Sequence, residues 1–151
     1  MSRLLGIDLG ERRIGLAVAA TETGAARGLA TLMRGTPADD AAALAHVIAE
    51  QRIDELVVGL PLLPSGDEGD QAVAARAWGD AIGGRVGRPV TWQDERFTSV
   101  AAEAVVGAAR RGHDGAPPGA VARTRQRAAV DREAARRILQ AALDARPRIS
   151  R

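Results

Sequence analysis

The chain has 151 residues, 46% hydrophobic and 26% charged, with a formal net charge of +2. That is enough to bury a core, and one domain over residues 1–151 is expected. Without cysteine, thiolate metal sites and disulfides are excluded. No apolar run is long enough to cross a bilayer, and no basic-then-apolar leader opens the chain, so a cytoplasmic location away from membranes is expected.

Residues 3–9 and 14–20 read as two strands joined by Gly10-Glu11-Arg12-Arg13. A third strand, about 27–33, follows a turn at Thr23-Gly24, and three closely spaced strands predict an antiparallel meander. Residues 38–51 carry Ala41, Leu44, Ala45 and Ile48 at helical spacing. Glu55–Leu60 is short and nearly all apolar, as a buried parallel strand should be. After a Pro/Gly/Asp-rich loop from Pro61 to Gly69, the pattern predicts a helix over 70–83 and a strand over 89–93. A helix over 98–110 capped by Thr98 or Ser99, a Gly/Pro-rich loop over 112–123 and a last helix over 126–145 complete the reading. The order β-β-β-α-β-α-β-α predicts an α/β fold: a mixed five-stranded sheet flanked by helices, with ligands beyond the strand ends.

Asp8 is the residue to explain first. It sits near the end of the apolar run Leu4-Leu5-Gly6-Ile7-Asp8-Leu9, sharing a face with Leu4 and Gly6. A buried carboxylate without a partner costs several kcal/mol, so such a group titrates, pairs or binds a metal. The competing account makes it the opening residue of an Asp-Leu-Gly turn. Glu95 follows the fifth strand and is a poorer cap than its neighbour Asp94. Asp131 heads a helical stripe with Ala134, Ala135, Ile138, Leu139 and Ala142. If the helix begins near Val130, an acid there also favours the helix dipole, by ~0.3–1 kcal/mol; either account puts Asp131 at the N-terminal end of that helix. Three carboxylates meeting at one sheet end would suit Mg²⁺ or Mn²⁺, hard ions that take oxygen ligands.

Four segments, in order, carry a resemblance. Gly6-Ile7-Asp8-Leu9-Gly10 with Ile14-Gly15-Leu16-Ala17-Val18, Val58-Gly59-Leu60-Pro61-Leu62, Asp94-Glu95-Arg96-Phe97-Thr98-Ser99, and Val130-Asp131 with Ala134-Ala135 and Ile138-Leu139-Gln140 resemble the YqgF/RuvX family. These are bacterial proteins described as Holliday junction resolvases and pre-16S rRNA nucleases, with an RNase H-like fold. The resemblance implies that Asp8, Glu95 and Asp131 are metal-binding catalytic acids of a nuclease acting on branched DNA or precursor rRNA. Leu63-Pro64-Ser65-Gly66 and Ala129 depart from the family pattern, which often has Asn then Met-Asp-Gly at the first place and Lys at the second.

Charge is unevenly spread. Residues 110–151 hold 11 Arg against 4 acids, whereas residues 36–80 hold 2 Arg against 9 acids. Arg12, Arg13, Arg96, Arg123, Arg125 and Arg127 are the candidates for phosphate contacts; ordinary solvated surface charge is the alternative for each. With Trp78, Trp92 and Phe97 as the only aromatics, shape and backbone contacts should outweigh base stacking. A junction's two-fold symmetry would call for a homodimer. The alternative function is a nucleic-acid-binding factor of ribosome biogenesis or transcription without catalysis, which needs the basic half but no acid cluster.

Overall fold

A computed structural model describes residues 2–96 and 119–146. Strands β1 (Arg3–Leu9), β2 (Arg13–Ala20) and β3 (Arg27–Met33) form the expected antiparallel meander. Helix α1 (Pro37–Gln51) then leads to β4 (Glu55–Leu60), and α2 (Asp70–Val86) leads to β5 (Val90–Asp94). β4 lies parallel to β1, and β5 parallel to β4, giving the order β3-β2-β1-β4-β5. The last described helix, α3, runs from Ala120 to Ala145.

Local chemistry accounts for the boundaries. Thr36 accepts from the Asp39 N–H while the Asp39 side chain accepts from the Thr36 N–H, a reciprocal cap that opens α1 with Pro37 at its first position. The expected end of α2 at residue 83 is too early. Gly83 and Gly84 are absorbed into the helix, which stops at Gly87, where φ of +66° suits glycine.

The larger difference is α3, which begins at Ala120 although the expected loop ran to residue 123 and the expected helix began at 126. The glycines and prolines that suggested a loop end at Gly119, and Ala120-Val121-Ala122-Arg123 contain no breaker. Asp131 is therefore the twelfth residue of its helix, well past the N-terminal turn, and the helix-dipole account of it fails. The helix predicted over 98–110 and Phe97 lie outside the described residues.

Side-chain alternation splits the sheet into two buried faces. Leu5, Ile7, Ile14, Leu16, Val18, Leu56 and Val58 face α1 and α2, packing on Leu44, Ile48, Trp78 and Ile82. Leu4, Ala17, Ala19 and Val57 face α3, packing on Ala135, Ile138, Leu139 and Ala142. The acid-rich segment thus forms the helices on one side, and the arginine-rich segment the helix on the other. Among the described residues no helix is long and apolar enough to cross a membrane.

Candidate active site

The α3 face of the sheet is lined with small residues, and this decides where the acids go. Gly6 on β1, Gly15 on β2 and Gly59 on β4 all lie under or beside the helix. A methyl on Gly6 would stand 2.7 Å from Leu139 Cβ, and one on Gly15 would overlap the carbonyl oxygen of Asp131. The helix backbone therefore rests on the sheet backbone. In the β1–β2 register Gly15 is the partner of Asp8. Seating Asp131 on Gly15 thus sets it beside Asp8, although 123 residues separate them in the chain.

Glu95 arrives from the other side. Its N–H donates to Leu60 O at 3.2 Å, which holds it against the end of β4. A methyl on Gly59 would overlap Glu95 Oε2 and stand 2.6 Å from Ile138 Cδ1. Since Ile7 pairs with Val58, the next position along each strand puts Gly59 beside Asp8. The glycine leaves the space that the Glu95 side chain fills.

Asp8 and Glu95 share a hydrogen bond. Burial raises the Asp8 carboxyl above its ordinary value; donation from Glu95 works against this, and the charge of Asp131 adds to it. Burial and the neighbouring Asp8 push Glu95 up to about 9, so the shared proton resides on Glu95 at neutral pH. Its neighbour Asp94 behaves in the opposite way: Arg96 donates to it from Nε at 2.8 Å and from its backbone N–H at 3.0 Å, holding the carboxyl low. Two adjacent acids thus have separate environments.

Asp131 is partly buried and accepts from Arg13 Nε at 2.6 Å. Asp131 and Arg13 line an open cleft of about 280 Å³ with Gly10, Glu11 and Arg12. The donor set is all carboxylate, as a hard divalent ion requires. Asp8 and Glu95 are in contact, and the proton between them occupies a position where positive charge is favoured. As the side chains stand, no group of three acids or histidines among the described residues is close enough to hold an ion; Arg13 engages the third carboxylate instead.

The candidate arginines separate into groups. Arg13 and Arg96 are paired with carboxylates, and Arg96 Nη1 also donates to Pro64 O at 3.3 Å, tying the Pro61–Gly69 loop to the residue after Glu95. Arg12, Arg123, Arg125 and Arg127 are exposed. Arg123 and Arg127 precede Asp131 at four-residue steps and share its stripe on α3, whereas Arg125 lies about 200° around the helix from Arg127. His46 is exposed on α1, away from the acids.

Sequence reasoning passed over Gly15 and Gly59 as site-forming residues. A glycine inside an apolar strand marks a close backbone approach, so the signal was present. Gln140 was likewise unassigned: it donates to Gly24 O and accepts from the Ala26 N–H, fastening the β2–β3 turn to α3.

The sheet order, the helix laid across its glycine-lined face and the acids at the strand ends define an RNase H-like domain. Thermus thermophilus RuvC in complex with Holliday junction substrate has this fold, with a TM-score of 0.51 at 17% identity over 96% of this chain and 95% of that one. The family described as "RuvX: Holliday junction resolvase" matches residues 2–145, and this chain belongs to it. A relative from Burkholderia lata named "Putative pre-16S rRNA nuclease" is 43% identical over 142 residues, 93% of this chain and 88% of that protein. One of the same name from Anaeromyxobacter dehalogenans is 43% identical over 144 residues, 95% and 98% of the two.

Proposed function

We propose that this chain is a divalent-metal-dependent endonuclease that hydrolyses phosphodiester bonds in branched or structured nucleic acid. It acts as a single RNase H-like nuclease domain in the cytoplasm. Branched DNA and precursor 16S rRNA are the two candidate substrates, drawn from the family description and the names of the relatives. Asp8, Glu95 and Asp131 are its catalytic acids and the residues that would hold Mg²⁺ or Mn²⁺. The observation that carries this reading is the hydrogen-bonded Asp8–Glu95 pair with Asp131 adjacent. Desolvating each carboxylate costs stability, which supports a use for their charge.

A bound divalent ion supplies charge for water activation and for the leaving oxygen of the phosphodiester. The protein's own residues do the rest. Asp8, on the central strand, is the fixed point, with its backbone paired on one side to β2 and its strand flanked by β4 on the other. Asp8 and Glu95 would hold the ion as carboxylates, their shared proton passing to solvent. Arg12, Arg123 and Arg127 lie on the open side, where they contact backbone phosphates and orient the strand. Arg96 holds the Pro61–Gly69 loop, which carries the family departure at Leu63, against the site margin.

The test is parallel cleavage of a synthetic four-way DNA junction and a precursor 16S rRNA fragment, with Mg²⁺ and with Mn²⁺. Paired symmetric cuts in the junction would support a homodimer with two opposed sites. An Asp8→Asn protein that cuts as well as the parent refutes the site. Binding that survives chelator with no strand cut under any metal would favour the non-catalytic binding factor.

A further inference from the structure

We infer that Arg13 is a displaceable counter-ion: its guanidinium holds Asp131 in the metal-free protein, and a divalent cation that takes Asp131 releases the guanidinium to a backbone phosphate of the nucleic acid. The inference rests on the metal-site reading above. It adds a role for a residue that neither the fold nor the chemistry of the three acids assigns.

The pairing is of a kind that can exchange. Arg13 reaches Asp131 Oδ2 through Nε at 2.6 Å, and among the described residues Nη1 and Nη2 have no partner. A carboxylate and a phosphate oxygen present the same acceptor geometry to that planar fork. The Arg13 side chain is 31% exposed and Asp131 19%, so the pair opens onto solvent. It does so inside the cleft of about 280 Å³ formed with Gly10, Glu11 and Arg12, which gives the guanidinium room to swing.

Both backbones are held. Gly10 N–H donates to Arg13 O at 2.9 Å, Arg13 pairs with Met33 in the β2–β3 ladder, and Asp131 is seated on Gly15. Exchange therefore needs a side-chain rotation only. Arg127 is exposed and stands one turn before Asp131 on the same stripe of α3, so the released charge joins it.

The experiment measures Mn²⁺ affinity of the full chain from the free-ion electron paramagnetic resonance signal. Removing the competing guanidinium in Arg13→Met should tighten Mn²⁺ binding about fivefold, as expected for a partly exposed ion pair. Arg12→Met, which removes the same charge one residue away, should change it less than about twofold. In an Asp131→Asn background, Arg13→Met should leave the affinity unaltered, because the coupling passes through that carboxylate. Unchanged or weaker Mn²⁺ binding by Arg13→Met overturns the inference, as does an equal gain from Arg12→Met. If Arg13→Met fails to fold, Arg13→Gln serves: loss of the positive charge should still tighten Mn²⁺, and an unchanged affinity overturns the inference. A parent protein that takes up no Mn²⁺ overturns the metal-site reading itself, whereas uptake with no Arg13 effect overturns this inference alone.

Discussion

Replacing Glu95 with Gln should stabilise the protein in chelator, an unusual direction for a change at a proposed metal ligand. An unfolded Glu titrates near 4.5, but in the folded protein burial and Asp8 push Glu95 up to about 9. Between those values the folded chain still holds a proton that the unfolded chain has released. The stability attached to this group is therefore complete below pH 4.5 and drains away as pH climbs towards 9. At pH 7.5, three pH units above the unfolded value, the upper figure is about 4 kcal/mol at ~1.36 kcal/mol per unit. Solvent reaches part of the carboxyl, which roughly halves it to about 2 kcal/mol. Gln keeps the donor to Asp8 without the ionisation, so at pH 7.5 in chelator it should melt ~4–8 °C above the parent, with little difference at pH 4. Added Mg²⁺ should narrow the gap, since the parent gains a ligand-bound state that the variant has weakened. Melting curves at pH 4, 6, 7.5 and 9, with and without Mg²⁺, decide the matter. Parallel pH slopes for parent and variant would refute the shared-proton account.

Other expectations concern the seat of the helix, the core and the substrate face. Asp8→Asn and Asp131→Asn should each lower cleavage by more than about 100-fold, because even groups that merely support a metal ligand cost ~10–100-fold; single-turnover rates on a labelled substrate measure this. Gly15→Ala should cost about 3 kcal/mol in urea unfolding, since its methyl meets the Asp131 carbonyl oxygen, which cannot yield without moving α3. Gly84→Ala, a helical position with nothing within 4 Å, should gain about 0.5–1 kcal/mol in the same assay. Trp78→Phe removes the indole N–H that donates to buried Asp40 at 3.0 Å and should cost about 2–3 kcal/mol. In nucleic-acid binding titrations, Arg127→Ala should weaken affinity and lower the salt slope by about 1, while Arg125→Ala, on the other side of α3, should do little.

What could be read from residues alone followed the range of the forces involved. Strand and helix periodicity is local, so the meander, the parallel β4 and the stripe from Ala134 to Ala142 were legible. Asp8 stood out because a charge in an apolar strand conflicts with its neighbours. The start of α3 was not legible: Gly119 caps it without any side-chain bond, so the usual polar signal is missing, and the loop composition seemed to run on. The Arg13–Asp131 pair spans 118 residues, and no local pattern encodes it. The opposed behaviour of Asp94 and Glu95 could not be read either, because it depends on burial beside β4 and on Arg96 turning back to its own neighbour.

The glycine bed beneath α3 has a consequence for how such an enzyme can change. Main chain rests on main chain there, so the floor beneath Asp8 and Asp131 has no slack to trim or pad. Lineages or engineers wishing to alter which strands are admitted must work at the rim, in the Gly10–Arg13 turn and the Pro61–Gly69 loop. Those segments can vary in size and charge while the foundation under the acids stays as it is.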